Sequence, residues 1–337
     1  MSWIDTLPHA TVADGIVQYF APVADELAAL EQDGVVSPLT QFGLIRFRGE
    51  ETATFLQGQL SSDIRQLDTG VAQYSSYSTP KGRMLASFLI YKLGDDYLLQ
   101  LPVELQASIQ KRLSMYVMRS KTKADDATLD VALIGVAGPK AATLVQAVTG
   151  ALPVGDFSVQ NWEGGATVAL SGGRYQVVVP ADQAAQIWQQ LLQAGAKPVG
   201  EPVWRLTEVR SGTPWVTAAT QEEFVAQMAN MELIGAVSFS KGCYPGQEIV
   251  ARTQYLGKLK RRMYRVRVDG AAQAGQDVFS PEMNGQASGK VMLAAPAAQG
   301  ASEALVVVQM SSLEHGLHLG DLNGPAVEVL DLPYVVA

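Results

Sequence analysis

Apolar positions along this chain recur at two spacings, and the switches between them outline its elements. Helical spacing, with apolar residues every three or four positions, marks "VADELAALEQDG" (23–34), where Gly34 is expected to act as the C-terminal stop. Next, "FGLIRFRG" predicts a strand through Phe42, Leu44, Ile45 and Phe47 with a turn at Gly49, and Phe55, Leu56 and Leu60 fall on one helical face. Strand-like runs follow at "VAQYSSYS", "MLASFLIYKLG" and "DYLLQLP", punctuated by Pro80-Lys81-Gly82 and Gly94-Asp95-Asp96, and then a helix, "VELQASIQKRLSMYVM".

The order then recurs without a sequence repeat: strand "LDVALIGVAG", helix "PKAATLVQAVTG", strands "GATVAL" and "RYQVVVP", helix "ADQAAQIWQQLLQAG". Two α+β lobes with antiparallel sheets and helices on one face fit this order. Past "EIVARTQYLGK" helical spacing disappears. Short alternating runs such as "RRMYRVRV" and "EALVVVQM", separated by Gly, Pro and Asn, predict a small C-terminal β-barrel or sandwich. The expected organisation is an extension over 1–37, a first lobe over 38–127, a second over 128–256 and a barrel over 257–337, with exchange of segments between the lobes allowed.

With 47% apolar and 17% charged residues, burial can offset chain entropy, so disorder is not expected. A net charge of −8 argues against a surface made to hold phosphate everywhere, although a local basic patch is compatible with it. The start, "MSWIDTLPHA", does not read as a secretion signal and no run is long enough to span a bilayer; a cytoplasmic protein without membrane contact is expected.

Cys243 is the single cysteine, which excludes an internal disulfide, a Cys-X-X-Cys pair and a cluster or zinc site held by this chain's thiolates alone. It stands in "FSKGCYPGQEIVART" (239–253). Pro245 suits the first turn of a helix, so Cys243 is expected just ahead of a helix N-terminus, where peptide dipoles and Lys241 favour a thiolate. Gly242 and Gly246 leave room for close approach, and Gln247 and Glu248 fall in the first turn. The alternative is a small apolar plug.

The stretch "KGCYPGQE" (241–248) resembles the signature of the YgfZ family of folate-binding proteins, written Lys-Gly-Cys-Tyr-X-Gly-Gln-Glu. "FLQGQLSSDI" (55–64), "KGRMLASFLIYK" (81–92), "MYVMRSK" (115–121) and, more loosely, "EVRSGTPW" (208–215) fit in the same order. The family is related to the T-protein of the glycine cleavage system, an aminomethyltransferase. The resemblance implies three domains around a central cavity that holds tetrahydrofolate, and a role in sustaining iron–sulfur enzymes, notably those that modify tRNA. Cys243 would be the functional thiol, with Lys241, Gly242, Tyr244, Gly246, Gln247 and Glu248 as its motif.

Two aromatic positions associated with folate in the family align with Phe42 and Trp204; ordinary core packing is the alternative for both. Arg119, Lys121, Lys123 and Arg252 are candidates for the anionic glutamate tail, the alternative being a solvated basic edge. The acidic residue on which the related transferase depends would fall in "GRMLASFLIYK", where Ala86 and Ser87 stand and no Asp or Glu occurs from Gly82 to Tyr91. Aminomethyl transfer is therefore disfavoured, and whether the protein is an enzyme stays open. A third reading is direct tRNA contact through Lys258, Lys260, Arg261, Arg262, Arg265 and Arg267 with Tyr255 and Tyr264, although strand alternation would divide those cations between two faces. His315 and His318 read as loop polarity, and no metal site is expected.

Overall fold

The computed structural model describes residues 3–257 and 259–336. In chain order the early elements are β1 (Thr11–Ala13), β2 (Ile16–Tyr19), α1 (Val23–Gln32), β3 (Val35–Pro38), β4 (Phe42–Arg48) and α2 (Thr52–Gln57). Then come β5 (Gln73–Ser78), β6 (Met84–Leu93), β7 (Asp96–Pro102), α3 (Val103–Val117) and β8 (Lys123–Asp126). The middle of the chain forms β9 (Val131–Ala137), α4 (Ala141–Thr149), β10 (Val159–Trp162), β11 (Gly165–Leu170), β12 (Arg174–Pro180), α5 (Ala184–Gln193), β13 (Lys197–Pro198) and α6 (Glu201–Arg210). The last part holds α7 (Gln247–Tyr255) and six strands: β14 (Arg261–Asp269), β15 (Asp277–Phe279), β16 (Ala287–Pro296), β17 (Ala301–Gln309), β18 (Leu317–Leu319) and β19 (Ala326–Leu330).

The chain divides into two compact units that interleave along the sequence. The first is Met1–Thr52, Gln66–Gln73 and Leu89–Thr207; the second is Ala53–Arg65, Tyr74–Phe88 and Glu208–Ala337. The boundaries drawn from the sequence after residues 37, 127 and 256 fall inside these units rather than between them.

The first unit holds a sheet in the order β10-β11-β12-β9-β3-β13, antiparallel except for the β13–β3 pair. Leu144, Val145, Ile187, Trp188 and Leu191 from α4 and α5 bury with Val36, Ile134, Val136, Val177 and Val179. Such burial of Val, Ile and Leu side chains stabilises by about 1.5–3 kcal/mol each before ordering costs. The same unit carries β4 between β7 and β8, with Leu105, Ile109 and Leu113 of α3 buried. Gly43 permits this approach, because a Cβ there would lie 2.7 Å from Gln106 Cγ.

Gly34 does not form the expected left-handed stop. Helix α1 ends on Asp33 in extended backbone, and Gly34 passes so close to Leu144 that a Cβ would meet its Cδ1 at 2.2 Å. Packing, not turn geometry, requires the glycine. Glu26 is buried in α1 and accepts from the amides of Phe20, Ala21 and Gly200, at 2.6, 3.0 and 2.9 Å, which ties the N-terminal segment to the start of α6.

In the second unit the six C-terminal strands close into a barrel in the order β14-β17-β16-β15-β18-β19, with β14 pairing β19 at the seam. Val266, Val268, Val278, Val291, Val306, Val308, Leu317 and Leu319 fill it. The mixed α+β architecture and the C-terminal barrel agree with the sequence expectation. Among the described residues no helix is long and apolar enough to cross a membrane.

Candidate functional site

Three of the signature stretches meet in the second unit, around the turn that carries Cys243. Lys241 is 5% exposed, and its ammonium donates to the carbonyl oxygens of Leu60, at 2.5 Å, and Ser62, at 2.8 Å. Those carbonyls belong to "FLQGQLSSDI". The loop is itself fixed: Ser62 Oγ donates to Ser75 Oγ at 2.8 Å, Ser61 Oγ to the Ala236 carbonyl at 2.7 Å, and the Ser238 amide to the Ser61 carbonyl at 2.9 Å. Burial lowers the Lys241 pKa to about 8, with the Asp63 carboxylate pulling it back up and Arg65 lowering it further.

Tyr244 is buried next to that amine, with its ring centre 5.1 Å from Lys241 Nζ. Burial pushes the phenol up to about 12, and its oxygen has no hydrogen-bond partner among the described residues. Between these two buried side chains, Gly242 and Cys243 are exposed. The burial of Lys241 and Tyr244 on either side thus holds the short connection at the surface with its thiol outward.

The third stretch enters through glycines. Gly246 sits at φ 83, and a Cβ there would lie 2.7 Å from the Thr79 carbonyl oxygen and 2.8 Å from Gly82 Cα. Gly82, at φ 75, faces Ile249 at a distance that leaves no room for a Cβ. Only glycines let the turn of "KGRMLASFLIYK" lie against the start of α7.

The structure corrects the expected helix start. Helix α7 begins at Gln247 with Gly246 as its N-cap, so Pro245 precedes the helix and Cys243 stands ahead of the cap. Lys241, expected as a cation beside the thiol, spends its ammonium on the 60–62 loop instead. Gln247 is half-buried in the first turn and Glu248 is exposed.

Phe42, Trp204 and Arg119 belong to the first unit. Phe42 is buried in β4 and lines a cavity of 620 Å³ with Trp3, Leu39, Leu44, Val103 and Leu133 among its walls. Its size is that of a small-molecule site. Trp204, in α6, does not line that cavity. It is 1% exposed and fits against Gly135, where a Cβ would come within 2.5 Å of its ring; the Arg174 guanidinium lies 5.6 Å from the ring centre. Phe42 thus forms part of a cavity wall, whereas the Trp204 ring is buried against Gly135 and Arg174. Arg119 is exposed just beyond α3, and Lys121 pairs with Glu50 at 3.2 Å.

Where the related transferase would place its acid, Ala86 is fully buried and Ser87 nearly so; Ser87 Oγ accepts from the Val216 amide at 2.9 Å. In the basic stretch, Arg262 is bonded to Glu232 and to the Gln227 carbonyl, Arg265 to Glu303 at 2.7 Å and Arg267 to the Ala298 carbonyl at 3.2 Å. Lys258 lies outside the described residues. His318 is in strand β18, with Nδ1 3.0 Å from the Gly324 carbonyl oxygen. Sequence reasoning missed the anchor for the signature lysine. The serine runs "SS" (61–62) and "SS" (75–76) were its trace: hydroxyls on buried positions demand partners.

Mixed α+β sheets followed along the chain by a closed six-strand barrel define a class, and comparison with known proteins agrees. The chain superposes on the glycine cleavage system aminomethyltransferase T of Bartonella henselae with a TM-score of 0.77, covering 97% of this chain and 94% of that one at 15% identity, which speaks for the fold alone. Residues 10–238 match the family model described as the GCVT N-terminal domain. Among curated relatives, the tRNA-modifying protein YgfZ of Colwellia psychrerythraea is 32% identical over 227 residues, 67% of this chain and 69% of that protein. The YgfZ of Pectobacterium atrosepticum is 26% identical over 332 residues, 94% of this chain and 96% of that protein. The chain belongs to the GCVT N-terminal domain family, and within it to the YgfZ group.

Proposed function

We propose that this protein binds tetrahydrofolate and supports assembly or repair of the iron–sulfur clusters on which tRNA-modifying enzymes depend, with Cys243 as the working thiol, in the cytoplasm. The observation that carries the reading is the exposed Cys243 on a turn built from three signature stretches, with Lys241 and Tyr244 buried on either side of it. A lone thiol so held can share an iron or a sulfur atom with a partner protein, but it cannot complete a cluster by itself. The names of the relatives, tRNA-modifying proteins, support the biological setting.

Bound tetrahydrofolate would bring a reduced pterin able to carry a one-carbon unit. Within the first unit, the ring of Phe42 offers it an apolar wall in a cavity of suitable size. Arg119, exposed and cationic, is available to a glutamate tail. The burial of Trp204 against Gly135 argues for a supporting role at that position.

Folate-dependent aminomethyl transfer is the second reading. Buried Ala86 and the committed Ser87 hydroxyl count against it, since neither can orient an amine or take its proton. Contact with tRNA through 261–267 is the third; the partners already held by Arg262, Arg265 and Arg267 count against it.

The test is Cys243→Ala in cells that lack the native protein. Activity of iron–sulfur tRNA-modifying enzymes should fall while the variant protein accumulates normally; unchanged activity would remove the thiol from the proposal. Calorimetric titration with tetrahydrofolate, repeated on Phe42→Ala, tests the folate half.

A further inference from the structure

Helix α3 ends in a surface from which the functions above draw only Arg119, as the candidate for a folate tail. From Leu105 to Ala124 the chain has five cations, Lys111, Arg112, Arg119, Lys121 and Lys123, and no acidic residue, in a protein whose net charge is −8. In the same stretch three large side chains stand in solvent: Met115 is 60% exposed, Tyr116 53% and Met118 85%. Helical spacing puts Lys111 and Met115 one turn apart, and likewise Arg112 and Tyr116, so cations and large side chains share the outward face while Leu105, Ile109 and Leu113 bury the other. The helix stops abruptly at Met118, which turns to φ 35 and delivers Arg119 to the same end.

These cations are lightly committed. Lys121 pairs with Glu50 at 3.2 Å, but both side chains are mostly exposed, and such pairs are weak enough to be exchanged for another anion. Arg112 is half-buried, and its Nε lies inside without a hydrogen-bond partner among the described residues. The nearby Asp125 is already held by Arg46 and Arg48, whereas Glu51, which accepts from the neutral Lys121 amide, keeps its charge and offsets one cation of the face. Arg262, Arg265 and Arg267 of β14 differ on this point, for carboxylates and carbonyls there already occupy their guanidiniums.

We propose that this end of α3 is a binding surface for RNA, with Lys111, Arg112, Arg119 and Lys123 taking backbone phosphates and Tyr116 stacking on an unpaired base. Cations flanking an exposed aromatic ring are the pairing that single-stranded and loop RNA requires, because every base has a face to stack and every linkage a charge to meet. The inference rests on the reading that the protein works in tRNA modification, and it adds that the protein meets the tRNA itself as well as the enzyme.

The experiment is fluorescence anisotropy of labelled bulk tRNA against the full-length protein between 50 and 200 mM salt, ranges on the order of those used to count phosphate contacts. Four phosphate contacts predict a log–log salt slope of about −3. Lys111→Gln combined with Arg112→Gln, Arg119→Gln and Lys123→Gln should flatten that slope and weaken binding at least about tenfold at low salt. Tyr116→Ala should weaken it with the slope unchanged. Should the fourfold variant melt early, the exposed pair Lys111→Gln and Arg119→Gln should still lose about half of the slope.

No tRNA binding at 50 mM salt, on the order of the lowest concentration tested, or wild-type binding by these variants, overturns the proposal. So does loss of pentaglutamyl-tetrahydrofolate binding with tRNA binding intact, which would assign the face to the folate tail, and so does equal competition by polyglutamate, which would assign it to an acidic protein. Because Cys243→Ala should bind tRNA as the wild type does, failure here and failure of the thiol function read out separately.

Discussion

Lys241 holds the Ser62 carbonyl oxygen at 2.8 Å from within the interior of its unit, and so fixes one signature stretch to another. Its charge is satisfied by backbone oxygens. Replacing it with methionine keeps the volume and leaves the Leu60 and Ser62 carbonyls without their donor, at about 1–3 kcal/mol for each group left unpaired. Lys241→Met should therefore speed amide exchange around Ser61 and Ser62, measured by hydrogen-exchange mass spectrometry. Protection equal to wild type would mean the loop holds itself.

The same lysine sets a pH signature. Burial lowers its folded-state pKa to about 8 from the ordinary 10.5, so the unfolded chain binds this proton more tightly. The unfolded state then carries more protons between those values, and stability gains from this group as pH rises from 8 towards 10.5. Urea unfolding of wild type and Lys241→Met across that window should show a rising difference in favour of wild type. A flat difference would show that the amine titrates alike in both states.

Gly246→Ala places a methyl group 2.7 Å from the Thr79 carbonyl oxygen while forcing φ 83 on a residue with a Cβ. Left-handed backbone alone costs about 1–2 kcal/mol, and the clash adds to it. The melting temperature should drop by several degrees, and the effect on cluster-dependent activity should follow the fraction folded. A neutral substitution would contradict the close approach of the two glycines.

Ser87→Ala removes the acceptor of the Val216 amide in a buried setting. Chemical denaturation should show a loss of about 1–3 kcal/mol. Folate binding by calorimetry should be unchanged per folded molecule. A binding defect without a stability defect would return Ser87 to the active chemistry.

Trp204→Ala empties a fully buried indole site, which costs about 3–5 kcal/mol. Trp204→Phe should recover much of that stability. If folate affinity follows stability across the pair, Trp204 supports the fold; affinity lost in Trp204→Phe at near-native stability would make it a direct wall of the site.

Hydrophobic spacing alone was enough for β4, β6, β7, β9, α3, α4, α5 and the long barrel strands β14 and β17, since each buries a continuous face whose period shows in the sequence; the short strand β18 was read as a loop. It missed α6, whose run "EPVWRLTEVR" is buried nearly all round and so lacks a polar face to give the period away. It also misread Gly34, because a glycine needed for contact with Leu144 looks the same in sequence as one needed for a turn.

The chain's own text determined two α+β segments, a terminal barrel, one thiol and the motif around it, since all of these are local patterns or simple counts. Tertiary structure alone decided that Lys241 turns inward to the 60–62 carbonyls, that Cys243 faces solvent, and that the Trp204 ring lies against Gly135. Those outcomes depend on which distant carbonyl, glycine or side chain occupies the neighbouring space, and such neighbours are set by long-range packing that no local spacing records.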